Sequence, residues 1–386
     1  MFNPIQSVRR SSNRQIRSGA RIASLIVTMC AVALAPHLAT AQKWTLGPFR
    51  RPVTTPVITP NPSAVFQDPV TGNEVHWEYA HTFNPAAVVK DGKIVVLYRA
   101  EDNSGEAQIG GHTSRLGLAA SGDGVHFTTL PAPVFYPAKD AQQESEWPGG
   151  VEDPRLTVTE DGLYVLTYTQ WNRKTYTVGV ATSRDLLHWQ KFGPAFADGA
   201  HGKYRNLAYK SAGILTKVVH GKIVAVRLRG KYWMYWGEIQ VRLATSTDLI
   251  HWTPVEDPDG RPKVLLQARP GMFDSGFPEV GAPPLLTKDG IVVFYNGKNA
   301  STNGDPGIGP GAYSAGQALF SGDDPSRLIA RVDHPYLKPE LPFEKSGQYA
   351  AGTVFTEGLV LFKDKWWLYY GTADSYVGVA NAVARH

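Results

Sequence analysis

Cysteine is all but missing from this chain. Cys30 is the only one among 386 residues, and it sits in an apolar N-terminal run. A chain cleaved after that run has no disulfide and no thiolate metal site. Other hydrolytic signatures are absent too. No His-Glu-x-x-His places two metal-binding histidines on one helix face, and no Gly-x-Ser-x-Gly elbow presents a serine nucleophile. The longest apolar run, residues 22–35, has about 14 residues, short of the roughly 20 that a spanning helix needs. No segment carries a long 3.6-residue apolar period, which disfavours helical architectures.

The N-terminus reads as a targeting segment. Residues 1–21 carry Arg9, Arg10, Arg14, Arg17 and Arg21 and no acidic residue; the apolar run and then Ala39-Thr40-Ala41 follow. That is the pattern of a signal peptide over residues 1–41, leaving 42–386 as the exported chain, periplasmic or extracellular. The alternative, an uncleaved membrane anchor, is disfavoured by the length of the run, so no membrane association is expected after cleavage. The chain has 39 basic and 34 acidic residues, and removing the five leader arginines leaves 34 of each. The apparent basicity belongs to the leader, and no nucleic-acid partner is implied.

What is abundant is aromatic residues (11%), glycine (38) and proline (28), as in many strands joined by turns. A turn followed by an aromatic strand recurs five times, at Asp91-Gly92, Asp161-Gly162, Gly230-Lys231, Asp289-Gly290 and Asp364-Lys365. A second element recurs after it: Ser121-x-Asp123 leading to His126-Phe127, Ser183-x-Asp185 to His188-Trp189, and Ser246-x-Asp248 to His251-Trp252. Three histidines in one repeat position beside an aromatic read as structural. Together the elements predict an all-β fold, a five-bladed β-propeller of four-stranded blades with a central funnel-shaped active site. An open solenoid or a sandwich are the alternatives. In the third unit Gly221 and Gly230 both qualify as the turn. Residues 42–80, Pro-rich and irregular, are expected to wrap the outside or close the ring.

In such a ring the first strand of each unit lines the channel, and its start faces one mouth. The starts carry Asn84, Glu152-Asp153-Pro154-Arg155, Lys210, Glu279 and Glu357; the second strands return to that mouth with Arg99, Asp102, Glu238 and Asp374. Carboxylates and amides bind hydroxyls, and Trp147, Trp233 and Trp236 are candidate stacking faces, so the funnel suits a sugar. Glycoside cleavage requires two carboxyl groups at one site, and the funnel offers several. A lectin-like, non-catalytic carbohydrate-binding propeller is the rival class. A propeller glycosidase acting on another polymer is a third, but it would need an Asp where the first inner strand has Asn84-Pro85, with only Asp68-Pro69 to replace it.

At these residues the chain resembles glycoside hydrolase family 130, the mannoside phosphorylases and β-mannosidases. The resemblance rests on Gly150-Val151-Glu152-Asp153-Pro154-Arg155, Tyr98-Arg99-Ala100, Ser121-x-Asp123-Gly124-x-His126-Phe127 and Tyr369-Tyr370-Gly371-Thr372-Ala373-Asp374-Ser375, from about Phe83 to Ala380. It implies that Asp153 is the general acid, acting through the mannose 3-hydroxyl. It also implies that Asn84, Arg99, Asp102, Lys210 and Asp374 bind the cleaved mannose, with Arg155 orienting Asp153 or closing the site. The family's phosphorylases carry an arginine after the third unit's aromatic strand, where this chain has Trp236-Gly237-Glu238. A carboxylate there would repel phosphate and could activate water. The expectation is therefore an inverting exo-β-1,2-mannosidase using Asp153, Glu238 and Glu279 on a β-mannoside oligosaccharide, without metal or cofactor. A phosphate-dependent β-mannoside phosphorylase is the alternative.

Overall fold

The computed structural model describes residues 43–384; the expected signal peptide, with Cys30, lies outside the described residues. The regular secondary structure of the described chain is almost wholly β-strand. A small hairpin, β1 (Phe66–Gln67) and β2 (Glu74–Val75), precedes the repeats. The first repeat holds β3 (His81–Lys90), β4 (Lys93–Glu101), β5 (Ser114–Ser121) and β6 (Thr128–Thr129), antiparallel in chain order. The second holds β7 (Gly150–Val158), β8 (Tyr164–Trp171), β9 (Tyr176–Ser183) and β10 (Gln190–Pro194), after a one-turn helix α1 (Gln143–Glu146).

The third repeat is split. β11 (Ala212–Ile214) pairs with β15 (Lys231–Trp236), and β16 (Val241–Ser246), β17 (Thr253–Pro254) and β18 (Val264–Leu266) continue outward. Between them, β12 (Thr216–Val219) and β13 (Lys222–Ala225) form an arm, and β14 (Arg227–Leu228) pairs with β15. Gly221 and Gly230 are therefore both turns, with φ of 76° and 78°. The fourth repeat holds β19 (Phe277–Val280), β20 (Leu285–Thr287), β21 (Gly290–Lys298), β22 (Tyr313–Phe320) and β23 (Leu328–Arg331); the fifth holds β24 (Phe355–Phe362), β25 (Lys365–Thr372) and β26 (Tyr376–Val383).

These groups are not five separate four-stranded sheets, as the repeats predict. A parallel bridge between Ser114 and Gly150 merges the first two, and β12 lies parallel to β20 and ties the third repeat to the fourth. Among the described residues no sheet closes on itself, and the fifth group has only three strands. The N-terminal segment fills the missing outer place: Arg50 bridges Asn381 and Ile58 bridges Val377, both antiparallel to β26.

Local chemistry explains the repeats. Asp91-Gly92 and Lys363-Asp364 both have positive φ at two successive residues, the conformation that fits a two-residue hairpin to twisted strands. In each Ser-x-Asp element, the aspartate Oδ1 accepts backbone N–H groups two and three residues on, while its Oδ2 meets the histidine Nδ1 at 2.7–2.8 Å. This closes a tight turn. The histidines are exposed, and the aromatic that follows packs inward: Trp252 is fully buried and Phe127 meets Tyr369 edge-on at 5.6 Å.

β3 packs against β7, β7 against β11, and β24 against β3. Small residues permit this approach. A Cβ on Gly281 would lie 2.8 Å from the Thr356 carbonyl oxygen, and one on Gly358 would lie 2.9 Å from the Ala87 Cβ.

The N-terminal strap is fastened by charge. Arg51 Nε donates to Glu344 Oε1 at 2.6 Å, and Glu344 is fully buried. Arg51→Ala would leave that carboxylate with the Tyr370 hydroxyl and two backbone N–H groups but no cation. Loss of one partner of a buried pair is worth about 3 kcal/mol. Denaturant unfolding should show a lower midpoint with an unchanged slope.

Candidate active site

Three inner strands carry the same irregularity at their starts. The ladder skips Asn84 in β3, Asp153-Pro154 in β7 and Glu357 in β24. Asn84 and Asp153 sit at φ of 45° and 46°, a left-handed conformation disfavoured for residues with a Cβ. Such bulges re-aim a side chain out of the sheet and are concentrated near active sites. Ser211, beside Lys210, and Asp374 share the positive φ, at 61° and 48°.

Asn84, Asp153, Lys210 and Asp374 meet in a cavity of about 390 Å³. Five carboxylates line it (Glu152, Asp153, Glu238, Glu279 and Asp374), with three cations, Arg99, Lys210 and Lys298. Asn84 Nδ2 donates to Asp153 Oδ1 at 2.7 Å, and Arg99 Nη1 donates to the same oxygen at 3.1 Å. Arg99 Nη2 also donates to Glu152 at 2.8 Å and Glu101 at 2.6 Å. The Lys210 ammonium lies 3.8 Å from Asp153, 3.7 Å from Glu238 and 3.5 Å from Glu279. The 3.8 and 3.7 Å distances laid end to end bound the Asp153–Glu238 oxygen separation at 7.5 Å.

Electrostatics separates these carboxylates. Burial alone would raise Asp153, but Arg99, Lys210 and Arg155 outweigh it and hold the carboxyl well below the usual range. Burial pushes Glu152 up to about 7 against the pull of Arg99, and Asp374 likewise to about 7. Glu279 is raised by burial against Lys210. Lys210 would be lowered by burial, yet Glu279, Asp153 and Glu238 keep it firmly charged. Glu279 Oε1 accepts the Ser211 hydroxyl at 2.6 Å. Glu238 is the more exposed of the two glutamates, with 19% of its side chain accessible against 1% for Glu279. Its Oε1 accepts the Tyr176 hydroxyl at 2.8 Å, and burial together with that bond pushes Tyr176 up to about 12.

Seven of the nine residues expected at the site line this cavity: Asn84, Arg99, Asp153, Lys210, Glu238, Glu279 and Asp374. Asp102 does not. It is buried behind the wall, where Oδ2 accepts from Arg115 Nη1 at 2.7 Å and Oδ1 accepts the Ser104 hydroxyl and the Thr113 N–H. Asp68 accepts from the same Arg115, so both aspartates hold the scaffold. Arg155 lies beneath the floor, pairing with Glu357 at 2.9 Å and donating to the Asp153 carbonyl at 2.9 Å. It meets the Asp153 backbone and is not among the residues that line the cavity. Glu357 is fully buried below with it.

The expected aromatics are also displaced. Trp147, Trp233 and Trp236 are not in the wall; Phe83, Trp171, Tyr176, Tyr313, Tyr349 and Phe355 are. Their only sequence signal is position, since Trp171 ends β8 and Tyr176 begins β9 at the mouth. One further group was not foreseen: a ring nitrogen of His81, one of His112 and an oxygen of Glu101 lie within 4.8 Å of one another. A second cavity of about 140 Å³, between the far halves of the same inner strands around Val88, Leu156, Val224 and Leu361, is mainly apolar and gathers no such charge.

Against known proteins, the family model of glycoside hydrolase family 130, described as β-1,4-mannooligosaccharide phosphorylase, matches residues 49–386. The chain belongs to glycoside hydrolase family 130. It is 33% identical to a 1,2-β-oligomannan phosphorylase of Thermoanaerobacter sp. (strain X514) over 310 residues, 80% of this chain and 91% of that protein. It is 54% identical, with a TM-score of 0.87 over 88% of this chain and 95% of the other, to a structure described by the words "The GH130 family of mannoside phosphorylases contains glycoside hydrolases that target beta-1,2 mannosidic linkages in Candida mannan". A glycosyl hydrolase structure from Bacteroides ovatus is 55% identical, with a TM-score of 0.86 over 88% of this chain and 95% of that one. Enzymes of this family act on mannosides.

Glu152 gives a pH test. Its carboxyl holds a proton to about pH 7 in the folded state, against 4.5 for the ordinary group. Between those values the folded chain binds more protons than the unfolded one, so this group lowers stability as pH rises. Its effect is absent below 4.5 and complete above about 7. In Glu152→Gln the thermal midpoint should fall less across that window than in the wild type; an identical fall would show that Glu152 does not titrate there.

Proposed function

We propose that this chain is an exported, inverting β-mannosidase acting on β-1,2-linked mannosides. Its five repeats are read as the blades of a propeller, with the charged cavity at one mouth of the channel. The carrying observation is Lys210, which holds Asp153, Glu238 and Glu279 within 3.8 Å of one ammonium and so gathers an acid and two base candidates. The 7.5 Å bound on Asp153 and Glu238 permits the roughly 6.5–9.5 Å spacing of inverting glycosidases. Asp153 supplies the proton to the leaving oxygen. It is ionised in the ligand-free site, so its proton is passed on by the neighbouring carboxyls of Glu152 and Asp374, which retain theirs near pH 7 and regain them from solvent after each turnover. Glu238 is the better placed base, because it is the more open and no hydrogen bond is formed at its Oε2. Glu279 holds the water with it. The water adds to the anomeric carbon on the face opposite the departing oxygen, giving inversion.

Charge supports water over phosphate as the nucleophile. Arg99 is already engaged by three carboxylates, and Lys210 is shared among three more contacts. Phosphorolysis is the second reading, and the family description and the named curated relatives favour it. The arginine-rich leader and the cleavage-site pattern support residues 1–41 as a signal peptide and 42–386 as the catalytic domain. Among the described residues, no helix is long and apolar enough to cross a membrane.

Incubation with β-1,2-mannobiose, with and without phosphate, separates the two readings. Free mannose at equal rates in both is expected, whereas mannose 1-phosphate formed only with phosphate establishes the phosphorylase. Asp153→Asn and Glu238→Gln should each abolish turnover, the first with a lower thermal midpoint because Asp153 is the buried partner of Arg99 and Lys210, the second with little change; near-normal activity in the second removes Glu238 from the mechanism. Tyr176→Phe should lower kcat about ten- to a hundredfold with KM little changed, since a hydrogen bond to a charged group is worth about 1.5–3 kcal/mol. A change confined to KM would place Tyr176 in substrate binding instead.

A further inference from the structure

We propose that His81, Glu101 and His112 form a binding site for one first-row divalent cation of the zinc type, which pins a loop at the rim of the sugar cavity. His81 opens β3 and stands opposite Glu101, the last residue of β4, in the strand register. His112 comes back from the loop that joins β4 to β5, just before Ser114. One nitrogen from each ring and one carboxylate oxygen already lie within 4.8 Å of one another, and the ring centroids are 5.9 Å apart. Zinc bonds to nitrogen and oxygen are about 2.0–2.2 Å long, so small side-chain rotations close the set. Two histidines and one glutamate are an established zinc donor set, and imidazole suits this part of the metal series.

The outer contacts orient the donors. His112 Nδ1 is 2.9 Å from the Ser104 carbonyl oxygen, which can only accept. The proton therefore sits on Nδ1, and Nε2 presents a lone pair. His81 Nδ1 lies 2.9 Å from the Ser375 hydroxyl oxygen, and in the tautomer in which Nδ1–H donates to that oxygen Nε2 presents its lone pair as well. Glu101 accepts from Arg99 on one oxygen and from Gln348 Nε2, at 3.1 Å, on the other, and each oxygen keeps a lone pair. Histidine ligands fixed through the other nitrogen are the usual outer arrangement of a metal site.

The three groups also need something between them. Glu101 is fully buried and His112 is 8% exposed. Imidazole lone pairs facing each other and a carboxylate, out of water, repel unless a proton or cation intervenes. Arg99 is shared among Glu101, Glu152 and Asp153, so it offsets the Glu101 charge only in part. The surrounding excess of carboxylates can accept a further positive charge.

The cation's task follows from position. The loop from β4 to β5 carries Ile109 and Gly110, which line the cavity, and Ile109 is 57% exposed. A cation held by His112 from that loop, and by His81 and Glu101 from two strands, fixes the rim without touching the cleaved bond. The site does not depend on which nucleophile the enzyme uses.

The test is metal binding itself. Full-length exported protein is stripped with a chelator and titrated with zinc chloride in a calorimeter, and metal retained after gel filtration is measured by mass spectrometry. One equivalent at micromolar affinity or tighter is expected, with a rise in thermal midpoint. In His112→Ala, affinity should fall on the order of a hundredfold and the thermal shift should vanish. Cobalt chloride added to the wild type provides a check that needs no variant, since a low-coordinate nitrogen and oxygen site gives visible absorption that zinc then abolishes. No uptake by the wild type, or equal uptake by His112→Ala and His81→Ala, overturns the proposal.

Discussion

The site depends on two cations holding more carboxylates than they can neutralise. Arg99 spans Glu101, Glu152 and Asp153, and Lys210 stands among Asp153, Glu238 and Glu279. A buried ion pair broken on one side leaves an uncompensated charge worth several kcal/mol, so every residue of the cluster constrains the others. The strands supply the geometry. Without the bulges at Asn84 and Asp153, the regular alternation of a strand would point those side chains elsewhere. Arg155, paired with Glu357 under the floor and bonded to the Asp153, Val280 and Gly281 carbonyls, joins three repeats at the level where the bulges occur.

The repeats were readable because local turn chemistry repeats. Asp-Gly pairs and Ser-x-Asp elements close on themselves within a few residues, so their geometry needs no distant partner. Most of the charged cluster was readable for a related reason, since equal offsets from equal turns bring strand starts to one end. What failed was anything decided by distant partners. Glu101 and Asp102 are neighbours in sequence and alternate in direction. One turns to Arg99 and the other to Arg115, and only the partners across the sheet decide which. The cavity's tyrosines come from loops and strand ends of different repeats, and their aromatic character alone does not separate Tyr313 from the core Tyr295. The arm of β12 and β13 and the strap at Arg50 likewise depend on pairing with segments far along the chain.

The choice between water and phosphate is finally a matter of local charge. Two unit charges 4 Å apart interact by about 4 kcal/mol at an effective dielectric of 20. A phosphate dianion near Lys210 would gain that attraction once, and would meet Glu238 and Glu279, both within 3.7 Å of the same ammonium, with the opposite sign. Lys298 is the remaining cation of the wall, and it is held over the rings of Phe277, Tyr313 and Tyr349 at 5.4–5.7 Å. A neutral water suffers no such repulsion and gains two acceptors that can orient it and take its proton. On the proposed reading, the same carboxylates that Lys210 holds in place disfavour an anionic nucleophile, and phosphate use would call for a further cation close to Glu238.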